Sequence, residues 1–179
     1  MTKILVCFHA TADLDMLSES EWISGSESGY IDTCYIKKAI NCFDESALEL
    51  ACRFREKCIA QNFPCDCTAV TASGKSGDSF LKTLAAVGYT QTDRIHLEND
   101  SDQIALSSEQ LSSLLFSYIN IQEPFQLIVT GTQSADGCQG KVPLLLAELL
   151  QIRCITQVTE FSPVDGTHAL VSYYRDDAL

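Results

Sequence analysis

The loop from Gly131 to Val142 reads Gly-Thr-Gln-Ser-Ala-Asp-Gly-Cys-Gln-Gly-Lys-Val, and its residue types are those of a ligand-holding loop. Gly131, Gly137 and Gly140 let a ligand approach the backbone. Thr132, Gln133, Ser134, Asp136 and Gln139 supply polar side chains, Lys141 supplies a cation, and Ala135 and Cys138 fill the remaining positions. The apolar run Phe125–Val129 ahead of the loop has the composition of a buried strand. Behind it Val142, Leu145, Leu146, Leu149 and Leu150 recur at helical spacing and form one apolar face. A strand, a glycine-rich loop and a helix N-terminus together suit a phosphate. Free backbone N–H groups point outward and the helix dipole favours an anion. Asp136-Gly137 is also an ordinary turn pair, so the loop has a purely structural reading beside the binding one.

No named phosphate loop fits. A Walker A loop needs Gly-x-x-x-x-Gly-Lys followed by Ser or Thr, yet Gly140-Lys141 is followed by Val142 and preceded at the first glycine position by Ala135. Gly74-Lys75-Ser76 has Ala69 at that upstream position, and the dinucleotide pattern Gly-x-Gly-x-x-Gly is absent. Catalytic constellations are equally hard to find. His9, His96 and His168 have no partner readable from spacing, and no nucleophile–base pair stands out. The chain does not read as a catalyst in its own right. Cys65 and Cys67 would share one face of a strand, but no Cys-x-x-Cys or nearby His completes a zinc site.

The composition narrows the class. A chain of 179 residues with 46% hydrophobic and 20% charged content is expected to be one globular domain with its own core. The formal net charge of −12 argues against nucleic acid, whose binding surface would be basic. One or two phosphates need only local N–H groups and a cation or two. No apolar run approaches the ~18 residues of a membrane span. The start, Met1–Phe8, is too short an apolar stretch for a signal peptide. The expectation is a soluble, cytoplasmic protein. Nine cysteines, odd in number and scattered through apolar segments, read as reduced core thiols and not as a disulfide framework.

The loop must be positioned by alternating strands and helices. Strands are expected at Ile4–Phe8, Asp66–Thr71, Arg94–Leu97 and Phe125–Thr130, with a short one at Tyr30–Ile36 and closing strands at Cys154–Glu160 and Ala169–Tyr174. Helices are expected from Cys42 to Gln61, with Asn41 and Asp44 close to a capping box, and from Ser76 to Val87, stopped by Gly88. Another follows Ser107, boxed by Gln110, and the last follows the loop. Ala10–Gly29, rich in Ser and Glu, reads as an exposed excursion. Such alternation predicts an α/β fold: a mainly parallel, Rossmann-like sheet with helices on both faces. Ligands of such sheets sit at the carboxyl ends of the strands, near the switch in strand order.

Four ordered segments resemble the electron transfer flavoprotein β subunit family. Gly131-x-Gln133-Ser134-x-Asp136-Gly137, then Gly140 and Leu146-Ala-Glu-Leu-Leu150, are similar to its signature loop and helix. Lys3–Cys7 is similar to its first strand, and Asn41-Cys-Phe-Asp-Glu45 to its Asn-Pro-Phe-Asp-Glu. Leu84–Gly88 followed by Asp93-Arg94-Ile95 is similar to its helix-to-strand step. The resemblance runs from about Thr2 to Val171. It implies an adenine-nucleotide α-hydrolase-like layout in which Gly131–Val142 wraps the phosphate of a bound AMP. It further implies that Asn41, Cys42, Phe43 and Asp44 touch the nucleotide, and that Cys7 and Ala72 lie beside the adenine through their backbone.

The resemblance also implies an electron carrier and not an enzyme, paired with an α subunit that holds FAD and relays electrons from acyl-CoA or other dehydrogenases. Two variants remain open: a second FAD in the nucleotide site, and a stand-alone adenine-nucleotide-binding or sensing domain with no redox role. The departures are Cys42 for proline, Cys138 for Asp or Asn, Lys141 for Gln, and His9 where lysine is usual. A lysine in a first helical turn opposes the dipole unless it faces a phosphate, and its other reading is a solvated surface charge. The family's β subunits continue into a C-terminal arm, whereas this sequence ends at Asp176-Asp177-Ala178-Leu179. The expectation is therefore a single domain over 1–179 that is truncated at its C-terminus.

Overall fold

The structure is a computed structural model describing residues 1–97, 106–134 and 140–174. It begins with β1 (Thr2–Cys7), whose apolar run Ile4-Leu5-Val6 is wholly buried on both sides. That is the pattern of a central strand in a parallel sheet. An excursion follows: β2 (Ala10–Ala12), a single 3-10 turn (Leu14–Met16), α1 (Glu19–Ser28) and β3 (Lys38–Ile40). Then come α2 (Cys42–Ala60), β4 (Cys65–Ser73), α3 (Gly77–Val87), β5 (Gln91–His96), α4 (Ser108–Asn120), β6 (Leu127–Thr130) and α5 (Val142–Leu150). The hairpin β7 (Val158–Pro163) and β8 (Ala169–Tyr173) closes the described chain.

The main sheet is parallel throughout, in the order β5-β4-β1-β6. Its register sets Val6 opposite Ala69 on one side and Val129 on the other. Alternation along β1 sorts the core into two halves. Ile4 and Val6 pack with Ala47, Leu48, Ala51 and Phe54 of α2 and Leu81 and Leu84 of α3. Leu5, Cys7 and Val70 pack with Leu115 of α4 and Leu146 of α5. Helices therefore cover both faces, as an α/β fold requires. The β7–β8 hairpin is antiparallel and leans on α2 through Phe54 and Phe161, whose ring centroids are 4.9 Å apart.

Local signals hold where they stay local. Ser107 and Gln110 form the expected capping box, and Gly88 ends α3 with φ 115°. Three expectations are corrected. Tyr30–Ile36 forms no strand; the pairing strand is Lys38–Ile40, antiparallel to Ala10–Ala12, because Ile36 is drawn into the core just before it. The excursion is exposed over most of α1, where Ser18 and Glu21 make a reciprocal capping box, but Ala10, Thr11 and Leu17 are buried, since the β2–β3 pairing folds its first residues back onto the domain. The first closing strand starts at Val158 and not at Cys154, because Gln157 adopts the left-handed conformation, φ 54°, and breaks the extended run.

The apolar stripe on α5 is also only partly used. Leu146 is buried, while Leu149 stays 42% exposed. Among the described residues β6 is one edge of the sheet, and α5 packs through Leu146 beside Leu115 of α4.

Candidate functional site

The strand order places the switch point beside β1. Connections from β1 run through β4 to β5 on one side, then return across the sheet to β6 on the other. A crevice opens there at the carboxyl ends of the strands, where ligands of such sheets bind. Its floor is Cys7 and Phe8 after β1, Ala72 of β4, and Thr130 and Gly131 after β6. One wall is polar, with Asn41, Asp44, Gln133, Ser134, Gly140 and Lys141. The apolar lining of the crevice is Leu106, Leu111, Leu115, Val142 and Pro143.

Asp44 organises the polar wall. It sits in the first turn of α2, 7% exposed. Its Oδ2 accepts the backbone N–H of His9 at 2.9 Å and the Asn41 amide at 3.0 Å; its Oδ1 accepts the N–H of Gly131 at 2.8 Å. Three segments far apart in sequence are thereby tied to one carboxylate. Burial pushes the Asp44 carboxyl above the usual carboxylate range, and the donors from Asn41, His9 and Gly131 pull it back. The same burial, followed by the charge of Asp44, pushes the Cys7 thiol up, so the floor carries a neutral thiol.

Asn41 does not cap α2 through its side chain, as the near capping box suggested. Its amide instead donates to Asp44 and, at 2.9 Å, to the carbonyl of Gln133. It thus holds the start of the glycine loop against the start of α2. Glycine is required at Gly131: a Cβ there would stand 2.3 Å from Asp44 Oδ1 and 2.9 Å from the Asp44 backbone nitrogen. At Gly140, φ 54°, a Cβ would meet the Thr132 carbonyl at 2.9 Å, so the loop also folds tightly on itself.

Several features of the crevice suit an anion. The N-termini of α2 at Cys42, of α4 at Ser108 and of α5 at Val142 all lie around it, and each first turn leaves N–H groups without a helical acceptor. Lys141 adds a cation at the rim. The apolar wall suits a flat ring. Among the described residues no cluster of three His, Cys, Asp or Glu could hold a metal.

Of the residues the sequence singled out, Cys7, Asn41, Asp44, Ala72, Gly131, Gln133, Ser134, Gly140, Lys141 and Val142 line this one crevice. Phe43 abuts Gly131 through its backbone carbon, while Cys42 and Thr132 are exposed beside the crevice and do not line it. Ala135, Asp136, Gly137, Cys138 and Gln139 lie outside the described residues. Sequence reasoning missed Phe8, Leu106, Ser108, Leu111, Leu115, Thr130 and Pro143 as lining, and gave His9 no place in it. The leucines of α4 read as core by periodicity, and nothing local shows that their N-terminal end faces a ligand crevice.

Comparison with known proteins matches this architecture. The family model described as the electron transfer flavoprotein domain matches residues 31–174. The Bacillus subtilis (strain 168) electron transfer flavoprotein subunit beta is 37% identical over 143 residues, 80% of this chain and 52% of that protein. The Dictyostelium discoideum electron transfer flavoprotein subunit beta is 30% identical over 128 residues, 72% of this chain and 47% of that protein. The Escherichia coli (strain K12) protein YgcR, named as a candidate electron transfer flavoprotein subunit, is 30% identical over 162 residues, 89% of this chain and 59% of that protein. The chain spans about half the length of the curated relatives it matches. No described helix is long and apolar enough to cross a membrane. With a family match over most of its length and the parallel fold described above, the chain belongs to the electron transfer flavoprotein domain family.

Proposed function

We propose that this chain is the nucleotide-binding part of an electron transfer flavoprotein β-type subunit. It holds AMP in the crevice and works with an α subunit that carries FAD, relaying electrons taken from a dehydrogenase such as one acting on acyl-CoA. The observation that carries the reading is the meeting of three helix N-termini at one crevice that is also lined by leucines. The lining suits the group, since helix N-termini and Lys141 border the crevice and N–H groups of a first helical turn are donors a phosphate can use.

The residues of this chain bind and position. The loop after β6 and the start of α5 face the phosphate, and Lys141 neutralises part of its charge. Leu106, Leu111 and Leu115 exclude water from the flat face of the base. Asp44 and Asn41 hold the loop in place and spend their polar atoms on protein donors and acceptors. FAD, when bound in the partner, supplies the electron-carrying chemistry.

Calorimetric titration of the purified chain with AMP, ADP, ATP and FAD tests the nucleotide half of the reading. Saturable heat with AMP supports it, and no heat with any adenine compound overturns it. Co-expression with the α-type subunit of the same genome tests the partner half. Co-elution with absorbance at a flavin wavelength supports pairing, and separate elution overturns it.

A further inference from the structure

The N-terminal part of α4 meets the first residue of α5 beside the crevice. Ser112, wholly buried, donates to the Ser108 carbonyl at 2.7 Å and reaches the Val142 carbonyl at 3.5 Å. Glu109 lies three residues before Ser112, hence on the same side of α4. Lys141 is the residue immediately before Val142. The Ser112–Val142 contact therefore brings these two exposed, oppositely charged side chains to one rim. Their neighbours Ser108, Leu111, Gly140 and Val142 line the crevice, as does Lys141 itself.

We propose that Glu109 is a specificity-determining residue of this crevice, sharing the charge of Lys141 and limiting the ligand to a single phosphate. The proposal rests on the nucleotide reading above. The carboxyl of Glu109 is held below the usual carboxylate range by its own backbone N–H, then by the Ser107 hydroxyl, with the charge of Lys141 adding to both. At neutral pH it is a fixed negative charge in the first turn of α4, where the helix dipole favours it. The first phosphate takes backbone N–H groups and the Lys141 ammonium. A second or third phosphate has to find a further cation at the rim and instead meets the charge of Glu109. Asp44 adds a further negative charge at the polar wall. The chain's net charge of −12 gives no wider attraction to offset them.

The test is calorimetric titration of the whole chain with AMP, ADP and ATP. The variants are Glu109→Gln and, as a control for net charge, Glu148→Gln on the exposed outer side of α5. Interactions between exposed charges are modest, so the expected change is about three- to five-fold in the ratio of ATP to AMP affinity for Glu109→Gln. That change should shrink in higher salt. Glu148→Gln should leave the ratio where it is. AMP binding with an unchanged ATP to AMP ratio in Glu109→Gln, or an equal change in both variants, overturns the assignment of Glu109. Failure of the unmodified chain to bind any of the three overturns the nucleotide reading itself. A thermal melt shows both variants folded, since each replaces an exposed helical side chain.

Discussion

The Oδ1 atom of Asp44 accepts the N–H of Gly131 at 2.8 Å, and a Cβ on Gly131 would stand 2.3 Å from that same oxygen. The bond and the missing side chain are one requirement. The loop after β6 can be held this close to α2 only because it turns at a residue with no Cβ. The two positions are 87 residues apart, so this single contact fixes the crevice as a tertiary feature.

Gly131→Ala should therefore damage both fold and site. Overpacking against backbone costs typically ~1–3 kcal/mol, and loss of the bond to a buried carboxylate adds to it. Urea unfolding should show a drop in that range or beyond, with weakened AMP binding. Gly166→Ala is the control, because a Cβ there meets only the Phe63 ring at 3.7 and 3.9 Å. Its effect should stay within about 0.5 kcal/mol. Equal losses in the two variants would contradict the close packing of Gly131 on Asp44.

Asp44 also predicts a pH dependence with a defined sign. Its folded carboxyl lies above the usual value because of burial, with its hydrogen-bond donors opposing. Between the unfolded and the folded pKa the native state holds a proton that the unfolded state has released. Stability contributed by this group is full below the ordinary carboxylate pKa and is lost as pH rises through the raised one. The stability gap between the unmodified chain and Asp44→Ala, measured by urea unfolding from pH 4 upward, should narrow as pH rises. A gap that widens with pH would show that the donors outweigh burial.

Much of the framework was legible in the sequence because its signals are local. Ala47, Ala51, Phe54 and Cys58 at helical spacing mark the buried side of α2, and all four are buried. The Ser107–Gln110 box and the stop at Gly88 each depend on a few neighbouring residues. The crevice was legible in part, through the glycine loop and the segment at Asn41–Asp44. What Asn41 and Asp44 do there was not. Asn41 is chemically a good cap, but its amide goes to Gln133, 92 residues away. Local pattern cannot register a competitor so distant. The Ser- and Glu-rich excursion was legible as exposed, but not the helix within it, which a reciprocal cap at Ser18 and Glu21 starts.

Asn41→Ala should loosen the loop without unfolding the domain. It removes the donor to Gln133 and one of the donors to Asp44. Hydrogen bonds to charged groups contribute about 1.5–3 kcal/mol. The expected result is a stability loss of that order with AMP affinity reduced at least several-fold. Asn41→Asp should be worse, since it sets a second carboxylate against Asp44. An Asn41→Asp variant as stable as the parent would contradict the donor role assigned to the amide.

Prepared alone, the chain should be colourless and inactive in dye reduction, because the flavin in this account resides in the α subunit. An absorbance spectrum of the purified protein checks this. A yellow preparation of this chain by itself, active with a dye acceptor, would move the flavin into the crevice described here.

The most direct test of the nucleotide site is the AMP dissociation constant of the unmodified chain against Lys141→Gln and Lys75→Gln. Lys141 lines the crevice, and Lys75, in the loop after β4, does not. A charge-assisted contact of about 1.5–3 kcal/mol corresponds to a loss of roughly ten-fold or more. The account predicts that loss for Lys141→Gln and no change for Lys75→Gln. Equal affinities in all three proteins, or equal losses in both variants, would contradict it.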